Sequence, residues 1–428
     1  MAERLVGADI APPDLHAKIT GRARYAEDFR APGMVFAKLL LSPMPHARVR
    51  RVDASRALAM EGVIDILRAD EVPSRDGPRE ACLTDTPRYE GEPILAVAAV
   101  DEETAAAAIE AIEIDFEPLP FVIDPLESLR PGGPNAYVDG NQFSGQDGWS
   151  DFKWTNTDFA KVDAGEMPDP SCPVEWTKGD PESAFAESAL VLEETIVHQS
   201  LTHHPMEPRS NMAYWEGETL HAFVSTQSSQ QTKFALAGAL QIDPENINLV
   251  SEYCGGGFGS KIAGTTVMQI PALFSRKINR PVMLRITRYE ENYVGRARPG
   301  FQTWLKMGFL QDGKCNAIDL IIVQESGPYG AGDFNTAGMI ADLTYTPQNM
   351  RFRGVSMYTN TPPKAAQRGP GGAQIISMME PILEKAGREL GVDRFEIHRM
   401  NAPRGDVQFG PRNATLTSVH AVEALDQG

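Results

Sequence analysis

The stretch Tyr253-Cys254-Gly255-Gly256-Gly257-Phe258-Gly259-Ser260-Lys261 organises the reading of this chain. Four glycines around one phenylalanine let a backbone come close to a ligand and adopt positive φ at little cost. Successive backbone N–H groups in such a turn form an anion-binding concavity. Leu249-Val250 precede the loop and Ile262 follows it, so the loop leaves a strand and enters an ordered segment. A phosphate-bearing cofactor is the natural guest. A tight turn without a ligand is the other reading of the same residues.

The chain has 428 residues, too many for one compact core, so two or three domains are expected. Hydrophobic residues make up 42% and charged residues 23%, ordinary values for a globular protein. A net charge of −18 argues against nucleic acid and against anionic membrane surfaces. No apolar run reaches the roughly 18 residues of a membrane span. Met1-Ala2-Glu3-Arg4-Leu5-Val6-Gly7 has no signal-peptide core, so a cytoplasmic protein is expected. Cys82, Cys172, Cys254 and Cys315 are far apart, which argues against a self-contained iron–sulfur or zinc site.

Patterning gives an α+β chain. Val35–Leu41 and Pro93–Val100 read as buried strands, Glu102–Ala111 as a helix capped by Asp101, and Ile112–Phe116 as an alternating strand. These form a module with its own core. Residues 125–180 carry Pro131-Gly132-Gly133-Pro134, Gly145-Gln146-Asp147-Gly148 and the aromatics Trp149, Phe152, Trp154, Phe159 and Trp176. That composition suits an ordered linker packed on a neighbouring surface; a substrate channel is the alternative. Beyond it, Ala189–Ser200, Thr219–Thr226 and Asn246–Tyr253 read as strands, and Ser229–Leu240 and Val267–Lys277 as helices. Phe301–Gln311 and Ala317–Gln324 read as a hairpin around Asp312-Gly313, and Gln374–Leu390 as a helix stopped by Gly391.

Three further segments are chemically suggestive. In Ser225-Thr226-Gln227-Ser228-Ser229, the Gln227 amide can donate to an oxo group and accept from a cofactor amine, or Ser228 or Ser229 can simply cap a helix. Ala366-Gln367-Arg368-Gly369-Pro370-Gly371-Gly372 sets an arginine before a helix start, an anion-binding arrangement or a surface turn. His203-His204-Pro205-Met206-Glu207-Pro208-Arg209 invites a metal reading, but its prolines hold it extended and buried polar structure is preferred.

In this order, these segments resemble the molybdenum-cofactor-binding subunit of the xanthine dehydrogenase/aldehyde oxidase family of molybdenum hydroxylases. The N-terminal likeness runs through Gly21–Asp28, Leu41–Arg48, Tyr89-Glu90-Gly91-Glu92-Pro93 and Phe116–Pro120. The remainder lies in His204–Pro208, Ser225-Thr226-Gln227, Gly255–Lys261, Arg368-Gly369 and Arg399-Met400-Asn401. The resemblance implies an α/β hammerhead domain over residues 1–124, the linker over 125–180, and the first part of the molybdopterin-binding domain over 181–428. It implies that Gln227 sits beside the apical oxo ligand, that Gly256, Gly257, Phe258 and Gly259 contact the cofactor, and that Arg368 lies near metal and substrate. No side chain of this chain is expected to ligate the metal.

The resemblance also implies oxidative hydroxylation with water as oxygen source, a molybdopterin carried as a dinucleotide, and [2Fe–2S] and FAD on partner subunits. Two positions depart from the family. Pro370 stands where an aromatic commonly follows Arg-Gly, and Ile262 stands where purine-oxidising members have a glutamate. An aldehyde or an apolar, alicyclic substrate therefore fits better than a purine. Family subunits also continue for several hundred residues and carry the general-base glutamate in a Gly-Val-Gly-Glu segment. Here only Glu207 and Glu380 are carboxylates close to a matched motif, and neither has that context. The expectation is a naturally split subunit whose C-terminal half is a partner chain; a truncated or degenerate relative is the alternative. Water addition at the same type of centre and a non-catalytic scaffold subunit are the rival functions. A P-loop is disfavoured because the order is Gly259-Ser260-Lys261.

Overall fold

In the computed structural model, which describes residues 7–73, 77–145, 147–405 and 407–428, two mixed β-sheets carry the helices. The N-terminal expectation at Met1–Val6 and the turn residue Gln146 lie outside the described residues. Among the described residues no helix is long and apolar enough to cross a membrane.

The first sheet has the strand order Ile247–Val250, Thr219–Val224, Asn211–Glu216, Val282–Leu284, Val35–Leu41, Pro93–Ala99, Val63–Leu67. Pro93–Ala99 is buried at every position because both of its faces are covered. Ala96 and Ala98 join Val35, Ala37, Phe274 and Val282 on one side, while Leu95 and Val97 join Ala54, Ala57 and Ala108 on the other. Asp101 caps the helix Glu102–Glu110, accepting from the Thr104 N–H at 2.7 Å. The N-terminal module therefore has its own core on only one face. Val35–Leu41 pairs in parallel with Val282–Leu284, so the other face is shared with the rest of the chain. Sequence pattern missed this because Val282–Leu284 is a short strand whose partners, Val35–Leu41 and Asn211–Glu216, lie far away in the chain.

The second sheet runs Val174–Lys178, Asn349–Met357, Cys315–Glu325, Phe301–Phe309, Leu190–His198. Its central hairpin turns at Asp312-Gly313 as the sequence predicts. The helices Asp333–Tyr345 and Gly372–Leu390 cover one face, and the latter ends at Gly391 with φ 70°. The aromatic stretch covers the other: Leu129, Trp154 and Phe159 pack on Trp304, Ile321, Val323 and Val355. Trp154 is a packing residue there. The stretch is not only a linker, because Val174–Lys178 forms the edge strand and sets Trp176 on Phe352.

Candidate cofactor site

Three segments far apart in sequence meet beside the first sheet. The glycine loop follows the strand Ile247–Val250, the Ser225-Thr226-Gln227 turn ends the neighbouring strand Thr219–Val224, and the Arg368 loop precedes the helix Gly372–Leu390. Gln227 Oε1 accepts from the N–H groups of Gly259 (2.9 Å) and Lys261 (3.3 Å), and the Gln227 N–H donates to Lys261 O at 3.2 Å. The Arg368 N–H donates to Phe258 O at 2.7 Å. Gln227, Gly259, Phe258 and Arg368 are thus one hydrogen-bonded unit.

Two donors pointing at one terminal atom of Gln227 identify that atom as the oxygen. Its lone pairs are therefore taken. The expectation that this amide accepts from a cofactor amine is corrected; only the Nε2 donor half remains, and it has no partner among the described residues. Ser228 occupies the N-cap position of the helix Ser229–Leu240 but makes no side-chain cap bond.

The glycines also have a reason beyond ligand approach. A Cβ on Gly257 would lie 2.2 Å from Gln227 Oε1, one on Gly259 2.0 Å from Ala366 O, and one on Gly255 2.5 Å from Glu207 Cβ. All three are tighter than any Cβ contact tolerates, so these glycines let protein segments close on each other. Gly256 and Gly259 additionally hold φ of 107° and 113°.

Behind the loop lies a buried polar frame. Glu207 Oε2 accepts from the Gly255 N–H at 2.6 Å and Oε1 from the Ala26 N–H at 3.2 Å. Lys261, fully buried, donates from Nζ to Glu207 O and Ser225 Oγ, both at 2.6 Å, with Glu207 Oε2 at 3.8 Å. Burial pushes its ammonium pKa down, and the Glu207 carboxylate opposes that shift. Arg209, also fully buried, donates to Glu291 Oε1 (3.1 Å), Ser260 O (2.9 Å), Ser260 Oγ (2.9 Å) and Gly295 O. His203 Nε2 lies 3.0 Å from Ala366 O, and burial lowers the pKa of its ring. His203, Glu207 and Arg209 are thus buried polar structure, as preferred from sequence, whereas His204 and Met206 of the same segment are exposed. Arg209 and Lys261 were missed as supports because nothing in local pattern marks a buried cation.

The front of the unit differs. The backbone N–H groups of Gly256, Gly257 and Phe258 carry no hydrogen bond among the described residues, nor does the exposed Arg368 guanidinium. Phe258 is 43% exposed at φ 54°. Three amides, the Gln227 NH₂ and a guanidinium are donors without acceptors, a set suited to oxo, phosphate and pterin acceptors. On that ground the residues fit a molybdopterin. An adjoining cavity of about 1330 Å³ takes Gly259 and Ile262 on its wall. Gln227, Gly256, Gly257, Phe258, Arg368 and Pro370 lie outside its lining; Pro370 stands in the turn before the helix Gly372–Leu390. Glu380 is elsewhere, bonded to His398 Nε2 at 2.7 Å and to the Tyr345 hydroxyl.

Comparison with known proteins identifies the family of the chain. Residues 165–402 match the molybdopterin cofactor-binding domain, and residues 20–120 match the aldehyde oxidase and xanthine dehydrogenase a/b hammerhead domain. The chain is 32% identical over 401 residues to a probable xanthine dehydrogenase subunit of Bacillus subtilis, covering 91% of this chain and 50% of that one. It is 26% identical to the nicotinate dehydrogenase large molybdopterin subunit of Eubacterium barkeri, covering 99% of this chain and 95% of that one. The aldehyde oxidoreductase of Desulfovibrio gigas superposes with a TM-score of 0.80 at 21% identity, over 97% of this chain and 45% of that one. The chain thus spans about half the length of most of these relatives and nearly all of one. It belongs to the xanthine dehydrogenase/aldehyde oxidase family and carries that family's hammerhead and molybdopterin cofactor-binding domains.

Proposed function

We propose that this chain forms one wall of the molybdopterin site of an oxidoreductase and that a second polypeptide forms the other. The observation that carries this is the set of unpartnered donors on one hydrogen-bonded unit: Gln227 Nε2, the amides of Gly256, Gly257 and Phe258, and the Arg368 guanidinium. When bound, the cofactor supplies a two-electron redox centre for oxidative hydroxylation with water as oxygen source. Gln227 donates toward an oxygen of the bound group, the loop amides hold it, and Arg368 stabilises negative charge that builds up on the substrate. No general base is assigned to this chain, because Glu207 and Glu380 are committed to other partners. The dinucleotide form of the cofactor is proposed from the family resemblance alone.

Ile262, 37% exposed on the cavity wall, and Pro370 supply neither a carboxylate for a ring nitrogen nor a stacking surface. An aldehyde or an alicyclic substrate is therefore preferred, with a heterocycle second. The split reading is supported by the Eubacterium barkeri subunit, which this chain covers along 95% of its length. Electrons leave through [2Fe–2S] and FAD carried by further subunits. Purification of the tagged chain with its co-eluting polypeptides, with molybdenum by elemental analysis, tests the proposal. The expected result is molybdenum only in fractions that also hold a chain containing Gly-Val-Gly-Glu. Full molybdenum on the isolated chain removes the split reading, and an intact complex without molybdenum removes the cofactor reading.

A further inference from the structure

Arg298 ends the two-residue strand Ala297–Arg298 and is 6% exposed. Its Nε–H donates to Gln367 Oε1 at 2.7 Å, Nη1 donates to Gln374 Oε1 at 2.7 Å and Gly369 O at 3.2 Å, and Nη2 donates to Arg368 O at 2.8 Å. Every acceptor belongs to the Arg368 loop or the helix turn that follows it. No carboxylate lies within ion-pair distance of Arg298 among the described residues, although Arg209, Lys261 and Lys364, buried cations near the site, each have one. Asp333, itself buried and without a side-chain hydrogen bond among the described residues, acts on it only through space. Burying a guanidinium without a contact ion pair is expensive, so its directed bonds to one loop call for a reason.

The loop has little freedom elsewhere. A Cβ on Gly371 would lie 2.5 Å from both Asp333 O and Ala337 N, so the loop is pressed against the helix Asp333–Tyr345. On its other side the Arg368 N–H holds Phe258 O at 2.7 Å. Between these contacts, Arg298 supplies the hydrogen bond that fixes the Arg368 carbonyl.

We infer that Arg298 is the positioning residue for Arg368: its planar fork fixes the backbone from which the unpartnered Arg368 guanidinium is presented beside the glycine loop. Lysine cannot replace it, because a point charge on a flexible stem cannot hold acceptors in a fixed plane. This inference rests on the reading that Arg368 serves the reacting centre.

Hydrogen exchange on the full-length chain tests the geometry. Arg298→Lys speeds exchange of the Arg368 amide on the order of 10-fold or more, while the strand Phe301–Phe309 keeps its protection. Unchanged protection at Arg368 overturns the inference. Should Arg298→Lys fail to fold, Gln374→Leu removes one acceptor, keeps the buried charge, and must show the same local effect. In the assembled enzyme, Arg298→Lys and Arg368→Ala each lower kcat on the order of 10- to 100-fold. The double variant is no worse than the poorer single, because one residue acts through the other. Losses that multiply overturn the inference. An Arg368→Ala enzyme with wild-type kcat instead removes the reading of the site, and leaves the exchange result standing.

Discussion

The His203–Arg209 segment and the front of the glycine loop contain similar polar chemistry, and the structure uses them oppositely. In the first, Glu207 and Arg209 are buried and bonded to named partners, with Lys261 of the loop's end joining them. In the second, Gln227 Nε2, the amides of Gly256, Gly257 and Phe258, and the guanidinium of Arg368 have no partner among the described residues. A frame satisfies its polar groups internally, because an unsatisfied buried group is costly. A site leaves them open, because their partner arrives with the ligand. The comparison predicts that variants of the frame lose stability and variants of the open set lose cofactor.

The largest stability effect is expected at Arg209. Arg209→Ala strands Glu291, 3% exposed, without its cation, and urea unfolding should show a loss of about 3–5 kcal/mol. A loss no greater than that of an exposed residue breaks the distinction between frame and site.

Next is the seam between the N-terminal module and the second sheet. Glu92, 1% exposed, accepts from the Arg88 N–H at 2.5 Å and from the Tyr329 hydroxyl. Burial pushes its carboxyl pKa up to about 7, against those two hydrogen bonds. A folded-state pKa above the unfolded one means that the folded chain holds the proton more tightly. Its stabilising effect is complete below the ordinary carboxylate range and is lost as pH rises toward 7, by at most about 3 kcal/mol. Glu92→Gln mimics the protonated acid, since its NH₂ can donate to Tyr329 and its oxygen can accept from Arg88. Urea titrations between pH 4.5 and 8 should show that Glu92→Gln flattens the decline seen in the parent chain. An identical pH profile excludes Glu92 as its source.

Gly257→Ala touches both classes. Its Cβ would meet Gln227 Oε1 at 2.2 Å, so the side chain must leave the loop. A stability loss of about 1–3 kcal/mol is expected, together with loss of molybdenum. The smallest stability effect is at Arg368, whose exposed side chain makes no hydrogen bond among the described residues. Arg368→Ala should stay within about 0.5 kcal/mol of the parent in urea. A larger loss would show that the residue belongs to the frame.

Much of this was legible beforehand, for identifiable reasons. Pro93–Ala99 declared itself by an unbroken apolar run, Asp101 by its position before an acidic helix start, and Gly391 by ending a long amphipathic helix. The glycine loop, Gln227 and Arg368 could be singled out as ordered motifs, and the structure ties them together. What stayed hidden depends on distance rather than pattern. Nothing near Val35 announces pairing with Val282 across most of the chain, and nothing near Arg298 announces that its donors all reach one remote loop. Nor does the letter Q reveal that the oxygen of Gln227 is already taken.

The central claim is that the open donors hold the molybdenum cofactor, and Gln227→Ala tests it most directly. In the purified complex, elemental analysis should show molybdenum per chain falling by about 10-fold or more, while the chain stays folded with a stability loss of no more than about 1–3 kcal/mol for the two amides that lose Gln227 Oε1. Full molybdenum occupancy in a folded Gln227→Ala complex would contradict the account.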